Sequence, residues 1–527
     1  MAEAVLGLII GKLSKALVSE AAAYGASLLC TEASALKGLF GEIRRATGWM
    51  EIMKAFLQDS EKFRDTNKTT DAFVKKIRDL AFRMEDVVDE FKYKLEDAKH
   101  GGFAAKMKKR IQHVKVWHHL ARELHDINVD LEDAVKQRNL CALPEMEKYG
   151  GGSDHHAGSV CFSREEDLVG IKDNARKLKG WILEDYGIKR KRLIKHWITA
   201  GFIKEKGNKT LEEVAEAYFY EIINRSLLQV TEMNAFGRVK SCRMHDIVRL
   251  LALKKAEEEC FGKTYEGSGT FSMDCIRRLS LQESTNIPPR CEYGTEHLRA
   301  IHAFTSNLEI DLLRHILASS SLLSTLDLQG TQIKMLPNEV FNLFNLRFLG
   351  LRDTGIEILS EAVGRLQNLE VLDAHNTGMM SLPKGVTKLK NLMFLYASTV
   401  VTEGSLELHG GVNVPRGIRN LTGLHALQLV EASLEILCDI AALKELRTFL
   451  VSECPELKCV PRGIENVAAL EKLYLKDTGE ELIEKLWQKS KADECNKDLM
   501  KISHIRTVGL EGIVAAAAAM EGIVALR

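Results

Sequence analysis

Proline, close-spaced cysteines and long apolar runs are what this sequence has least of. Only 8 of its 527 residues are proline, and five of them follow Gly330, which separates a proline-poor first part from the second. The 11 cysteines are scattered, odd in number and without a Cys-x-x-Cys pair. That excludes a disulfide framework and clustered zinc spacings, and it reads as reduced thiols in a cytosolic chain. No run of about 18 apolar residues is present, which excludes a transmembrane helix on hydropathy. The first residues, MAEAVLGLIIGKLSKALV, place Glu3 ahead of Lys12 and Lys15 and lack the basic start of a signal peptide. Neither sign of charge is in excess, with 73 Lys+Arg against 73 Asp+Glu, so there is no global drive towards nucleic acid or anionic membrane. No enzyme constellation is present either: no Gly-x-Ser-x-Gly, no His-Glu-x-x-His and no histidine cluster at ligand spacing. His155 and His156 stand in a glycine-rich tract and read as solvent-exposed rather than metal-binding, so no metal is expected.

What is there is a chain 45% hydrophobic, long enough for about three or four domains. Residues 1–140 carry helical periodicity. Leu36, Leu39, Ile43, Ala46, Met50, Met53 and Leu57 recur at three-four spacing, as do Phe73, Ile77, Leu80, Met84, Val87, Val88 and Phe91. A last helix is expected over Ile111–Ala134, and Val5, Leu6, Ile9, Ile10, Leu13 and Leu17 give the first helix its own apolar face. Amphipathic helices joined by polar turns make a four-helix bundle. In its third helix, Glu85-Asp86-Val87-Val88-Asp89-Glu90 puts two valines on the apolar stripe. Glu85, Asp86 and Asp89 then fall together on the other face. Pattern alone reads that face as solvated.

Residues 141–183 are a linker, over 141–162, and a lead-in; the linker's Gly150-Gly151-Gly152 and SDHHAGS have no periodicity and high backbone freedom. From Glu184 the pattern changes. Leu193, Ile194, Trp197 and Ile198 recur at helical spacing and Gly201 sits where a helix stops. Leu211, Val214, Ala215, Tyr218 and Ile222 form a second stripe. Leu227–Val230 and Val239–Cys242 suit the strands of a hairpin with Gly237 in the turn, and Ile247, Val248, Leu250 and Leu251 begin another helix. Helix, helix, hairpin, helix is the plan of a winged helix, assigned to 184–265. Its basic run Lys189-Arg190-Lys191-Arg192 raises a DNA-binding alternative, which the short run and the zero net charge oppose.

From Leu323 the chain repeats with a period of 23: Leu323, Leu326 and Leu328 recur as Leu346, Leu349 and Leu351, then Leu369, Leu372 and Ala374, then Leu392, Leu395 and Ala397. Thr331, Thr354 and Thr377 keep step, as do Ile333, Ile356 and Met379. This predicts a leucine-rich repeat solenoid over 275–510, begun early at Leu298-x-x-Ile301 and carrying an insertion around Ser398–Asn413. The variable strand positions Asp327, Arg347, Phe348, Glu370, Asp373, Met393, Phe394 and Tyr396 are expected to face outward on the concave side. Exposed aromatics flanked by charges form a protein-binding surface there. Residues 511–527 are a low-complexity tail. The fold class is thus mixed α and α/β, a helical bundle followed by a winged helix and a repeat solenoid.

These residues also carry a resemblance. The Glu184–Leu253 stretch, with Met244-His245-Asp246 in the place of an MHD motif, resembles the winged-helix part of plant intracellular immune receptors of the coiled-coil, NB-ARC, leucine-rich repeat class. The EDVVDE segment looks like the EDVID-type motif of the Rx-like N-terminal domain. The resemblance implies that His245 reads the phosphates of bound ADP, and that Glu85, Asp86 and Asp89 dock the bundle on the repeats. It implies a cytoplasmic disease resistance protein, with the plasma membrane or nucleus as destinations on activation and membrane contact only through the first helix. Expected partners are a pathogen effector or guarded host protein, full-length receptors and helical partners, and no nucleic acid. The chain departs from the family at Leu183/Glu184. Glu165–Ile171 resembles the lead-in to a phosphate-binding loop, yet no Gly-Lys-Ser/Thr loop follows a strand. Gly207-Asn208-Lys209-Thr210 lacks the upstream glycine and strand. The expectation is a truncated receptor acting as helper, decoy or regulator, without cofactor. The alternative is a complete ADP/ATP switch whose nucleotide-binding part is missing from this sequence.

Overall fold

In the computed structural model the described residues are 10–11, 30–60, 68–97, 103–140, 187–265, 276–282, 295–430, 440–486, 501–511 and 524–526, with short breaks inside these ranges. The chain forms two compact units, Met1–Leu193 with Glu216–Ala252, and Ile194–Ala215 with Leu253–Arg527.

The first unit holds three long helices, α1 (Cys30–Ser60), α2 (Lys68–Asp97) and α3 (Phe103–Leu140). The predicted stripes are its core: Leu36, Leu39, Ile43, Met50 and Met53 meet Ile77, Met84, Val87, Val88 and Phe91, all buried. The Phe91 ring stands edge-on to Phe40 and to Trp117, each at 5.4 Å between centroids. Asn128, fully buried, donates from Nδ2 to the backbone carbonyl of Glu42 (3.1 Å) and to its carboxylate (2.8 Å), which joins α3 to α1. Of the apolar face proposed for the first helix, Ile10 is helical and half-buried, while Val5, Leu6, Ile9, Leu13 and Leu17 lie outside the described residues, as do the linker from 141 and the NB-ARC lead-in.

The same unit contains a three-stranded antiparallel sheet in the order β1 (Ile188–Lys189), β3 (Val239–Met244), β2 (Leu228–Met233). The hairpin is the predicted one, and Gly237 has the positive φ of 70° that its turn requires. The third strand was not read from the sequence, because two residues carry no periodicity.

Helices α4 (Arg190–Thr199) and α5 (Leu211–Asn224) each have residues in both units. Gly201, at φ 78°, ends α4, with its N–H on the Ile198 carbonyl (3.0 Å) and the Phe202 N–H on the Trp197 carbonyl (2.9 Å). These paired bonds with a left-handed glycine are a Schellman stop. α5 opens with a capping box: the Thr210 N–H donates to the Glu213 carboxylate and the Glu213 N–H donates back to Thr210 Oγ1. Another helix, α6 (Asp246–Glu258), follows the hairpin.

The second unit is dominated by a sheet whose strands follow chain order, apart from one inserted hairpin strand, from Lys263–Tyr265 at one edge through Ala426–Val430, Thr448–Cys454, Lys472–Thr478 and Thr507–Glu511 to Val524–Leu526 at the other, all parallel except that last strand. Its repeats carry strands such as β6 (Ala300–Ala303), β7 (Thr325–Asp327), β8 (Phe348–Gly350), β9 (Val371–Thr377) and β10 (Phe394–Glu403). The sheet begins earlier than the predicted array, with β4 at Lys263–Tyr265 paired to β5 at Arg278–Leu281. The insertion is a hairpin: β10 runs on to Glu403 and pairs antiparallel with β11 (Leu406–Gly410).

Repeat geometry explains the recurring letters. One row of register partners, Leu279, Ile301, Leu326, Leu349, Leu372 and Leu395, is buried in the continuous core. After each strand the buried threonine turns back, Thr331 Oγ1 donating to the Leu328 carbonyl (2.8 Å) and Thr354 Oγ1 to Leu351 (2.7 Å). Gly330, Asp353 and Asn376, one period apart, all have φ between 55° and 79°. A short acid and an amide tolerate the left-handed turn that glycine takes without strain. Asn368 and Asn391 each donate from Nδ2 to a carbonyl of the preceding repeat, Phe344 (2.8 Å) and Gln367 (2.9 Å).

Candidate functional site: the concave face of the repeats

Alternation along each strand places two rows opposite the leucine row. One row runs Ala300, Thr325, Phe348, Val371, Phe394, Ala426. The other runs His302, Asp327, Gly350, Asp373, Tyr396, Gln428. Of the predicted positions, Asp327, Phe348, Asp373, Phe394 and Tyr396 therefore share the concave face, whereas Arg347, Glu370 and Met393 directly precede β8, β9 and β10. Their exposure is corrected by the structure: Phe348 and Phe394 are each 2% exposed, and Asp327 and Asp373 are buried.

The cover comes from the same unit. Lys195 Nζ sits 3.6 Å from the centroid of the Tyr396 ring and 5.8 Å from that of Phe394. His196 lays its ring against Phe348 at 4.1 Å and stands edge-on to His302 at 4.9 Å. Its Nε2 is 2.7 Å from Asp327 Oδ2. Arg347 holds the Glu370 carboxylate through Nε (2.7 Å) and Nη2 (2.6 Å) and donates from Nη1 to the carbonyl of Thr199, the last residue of α4. A cation there meets the negative end of the helix. Past the helix, Arg278 lies over the rings of Phe261 (4.1 Å) and Phe202 (5.1 Å). Residues 195–199 thus lie on the strip that the sequence reading left open to partners.

Electrostatics follow from that burial. Burial alone would raise the Asp373 carboxyl, but Arg352, whose Nε reaches Oδ2 at 3.2 Å, and Lys195 together bring it below its ordinary range. Burial pushes the Tyr396 phenol strongly upward, with the charges of Asp373 and Glu212 adding to it. Burial also pushes the His425 imidazole down, and Arg447 adds to that shift. Gly350 sits between two acids in its row. A Cβ there would meet Asp327 Oδ1 at 2.5 Å and the Phe348 ring at 2.9 Å, so only glycine leaves the carboxylate its place.

The other predicted sites stand as follows. Glu85 and Asp89 are buried and Asp86 is half-buried, so the acidic motif of α2 is not a solvated face. The buried arc of α2 is wider than the predicted apolar stripe, taking in Arg78, Ala81 and Phe82. His245 is half-buried and caps α6, with Nδ1 accepting from the Ile247 N–H at 3.3 Å. Asp246 is the first helical residue. Beside it, Ile247 and Leu251 are 73% and 65% exposed. In the basic run, Arg190 is buried, donating from Nε to the Val239 carbonyl (3.0 Å) and pairing with Glu216, so it is absent from any exposed basic patch.

His196, His302 and Asp327 were missed as a group. They are far apart in the chain, and only the register of β6 against β7 and the seat of α4 bring them together. The asparagines at 345, 368 and 391 were also missed, although their 23-residue spacing was there to be read.

Comparison with known proteins agrees with this architecture. The Rx N-terminal domain family matches residues 5–119, the disease resistance protein winged helix domain family matches 183–252, and the leucine-rich repeat region family matches 297–510. The chain is 31% identical over 164 residues to disease resistance protein RPM1 of Arabidopsis thaliana, covering 31% of this chain and 18% of that protein. It is 32% identical over 178 residues to the putative disease resistance RPP13-like protein 3 of the same plant, 32% of this chain and 20% of that one. Against disease resistance protein PIK6-NP of Oryza sativa subsp. japonica it is 42% identical over 108 residues, 20% of this chain and 10% of that one. The chain thus matches a fifth or less of the length of each of these relatives. Among solved structures, an LRR protein of Leptospira interrogans aligns with 45% of this chain and 61% of its own at 17% identity and a TM-score of 0.29. No helix among the described residues is long and apolar enough to cross a membrane.

Proposed function

We propose that this chain, which carries the Rx-type N-terminal, winged-helix and leucine-rich repeat domains of plant disease resistance proteins, is a non-enzymatic innate-immunity protein that works by protein–protein recognition. It acts as helper, decoy or regulator of full-length receptors, in the cytoplasm. Its recognition target is a pathogen effector or a guarded host protein. The observation that carries the mechanism is the placement of Lys195, His196 and Thr199 against Tyr396, Phe348 and Arg347. Arg347, Phe348, Glu370, Asp373, Phe394 and Tyr396 then form a covered recognition strip, open to a partner only when residues 195–199 leave it. Glu85, Asp86 and Asp89 are the docking motif of the bundle, a role supported by the burial of Glu85 and Asp89, since buried carboxylates need partners.

Co-expression in leaf tissue with a full-length receptor of the same class tests this. The chain changes receptor-dependent cell death, and a Lys195→Ala/Arg347→Ala variant changes it to a different extent. Identical cell death with the chain, the variant and an empty vector contradicts the proposal.

A second reading has its own support. Ile247 and Leu251 expose an apolar face next to His245, where the family's switch places its nucleotide-binding part. On this reading the protein is the complete switch, ADP or ATP is its cofactor, and His245 senses the nucleotide. Amplifying the transcript across the codons for Leu183 and Glu184 separates the two. A product much longer than this sequence requires favours the switch, and one of the expected length favours the shorter form.

A further inference from the structure

His196, His302 and Asp327 offer Nε2 or Nδ1 nitrogens and a carboxylate oxygen that all lie within 4.8 Å of one another. We propose that they bind a divalent transition metal, zinc by donor type, which clips α4 to the repeat sheet. Two imidazoles and one carboxylate are a zinc donor set, with the fourth tetrahedral position left to water.

The placement favours a metal over a chance cluster on four counts. His302 and Asp327 are register partners on adjacent parallel strands, so the backbone fixes their separation. The carboxylate is held from behind, because Gln329 N–H donates to Asp327 Oδ1 at 3.2 Å while Oδ2 faces His196. Such a bond to the distal oxygen is what orients a metal-binding carboxylate. The donors are shielded from water, at 15% side-chain exposure for His196 and 1% for Asp327, with Phe348 and Phe304 as ring walls. Neighbouring cations are engaged elsewhere, Lys195 on Tyr396 and Arg347 on Glu370.

The distances also fit. Zinc bonds of about 2.0–2.2 Å to nitrogen and oxygen put tetrahedral donors roughly 3.3 Å apart. Here one pair is at 2.7 Å and all are within 4.8 Å, so side-chain torsions close the shell without moving the strands. Without a metal, His196 Nε2 and Asp327 Oδ2 share a hydrogen bond.

The test uses the untagged full chain, stripped with a chelator and titrated with Zn²⁺, then with Co²⁺. One equivalent of Zn²⁺ raises the thermal midpoint, the chelator reverses the rise, and Co²⁺ gives the visible bands of a tetrahedral site. His302→Gln leaves the His196–Asp327 pair in place but lowers zinc affinity by more than about tenfold, since losing even a group that only supports a metal ligand costs about 10–100-fold. Asp327→Asn also lowers zinc affinity, and circular dichroism confirms that each variant is folded. A zinc response unchanged by His302→Gln, which would place the metal on other histidines such as His155 and His156, overturns the proposal. So does the absence of any stoichiometric uptake.

Discussion

Lys195 of α4 points its ammonium at the face of Tyr396, 3.6 Å from the ring centroid, although the two lie in segments about 200 residues apart. The lysine is buried, so the contact is desolvated, and such cation–π pairs contribute about 2 kcal/mol. Lys195→Met keeps the aliphatic packing and removes the charge. It lowers stability by about 1–2 kcal/mol in denaturant unfolding. Tyr396→Phe leaves the ring in place and costs less than half as much, whereas Tyr396→Leu costs as much as the lysine change.

Removing Arg352 strands the buried carboxylate of Asp373, whose Oδ2 it holds at 3.2 Å. Breaking a buried pair from one side costs about 3–5 kcal/mol. Arg352→Ala therefore destabilises more than the Arg352→Ala/Asp373→Asn double variant, which has no charge to strand. The pair also sets an acid limit. The Asp373 carboxyl lies lower in the folded chain than in the unfolded one, where about 3.9 is ordinary. Its stabilising contribution is complete above that value and is lost as the pH falls through the folded value. Asp373→Asn abolishes that part of the acid-induced loss, read as thermal midpoints below about pH 4.

Gly350→Ala forces a Cβ to within 2.5 Å of Asp327 Oδ1. The carboxylate has to swing away from His196, and overpacking of this kind costs about 1–3 kcal/mol. Faster amide exchange across 195–199 in the variant is the expected reading. Gly364→Ala, whose Cβ would meet the Gly385 carbonyl at 2.9 Å on another part of the repeat, destabilises without that local effect.

His425 gives a pH dependence of opposite origin. Its imidazole is pushed below the ordinary value of about 6.5, first by burial and then by Arg447. The unfolded chain then binds the proton more readily, so stability is complete above about pH 6.5 and falls as the pH drops towards the folded value. His425→Gln flattens the decline in thermal midpoint over that interval.

The solenoid was legible because a period of 23 repeats the same demand for a buried leucine, threonine and turn residue. The winged-helix elements were legible for a similar reason, as Gly201 and Gly237 stand where backbone angles leave little choice. The state of the concave face was not. Phe348 and Phe394 read as exposed because the repeat pattern says only which side they face. What lies over them is α4, whose own letters look like an ordinary amphipathic helix. Glu85 and Asp89 misled for the converse reason, since charge in a helical pattern is taken as a mark of solvent and here both are buried. His196 meets Asp327 across 131 residues, a distance no local pattern spans.

Lys191 and Lys195 stand one turn apart on α4, the first exposed and the second buried. Brief labelling of the folded full chain with an amine-reactive reagent, followed by mass spectrometry, compares them directly. Labelled Lys191 with protected Lys195, and loss of that protection in Tyr396→Ala/Phe348→Ala, is the predicted result. Equal labelling of the two lysines in the unmodified protein would contradict the claim that residues 195–199 cover the concave face.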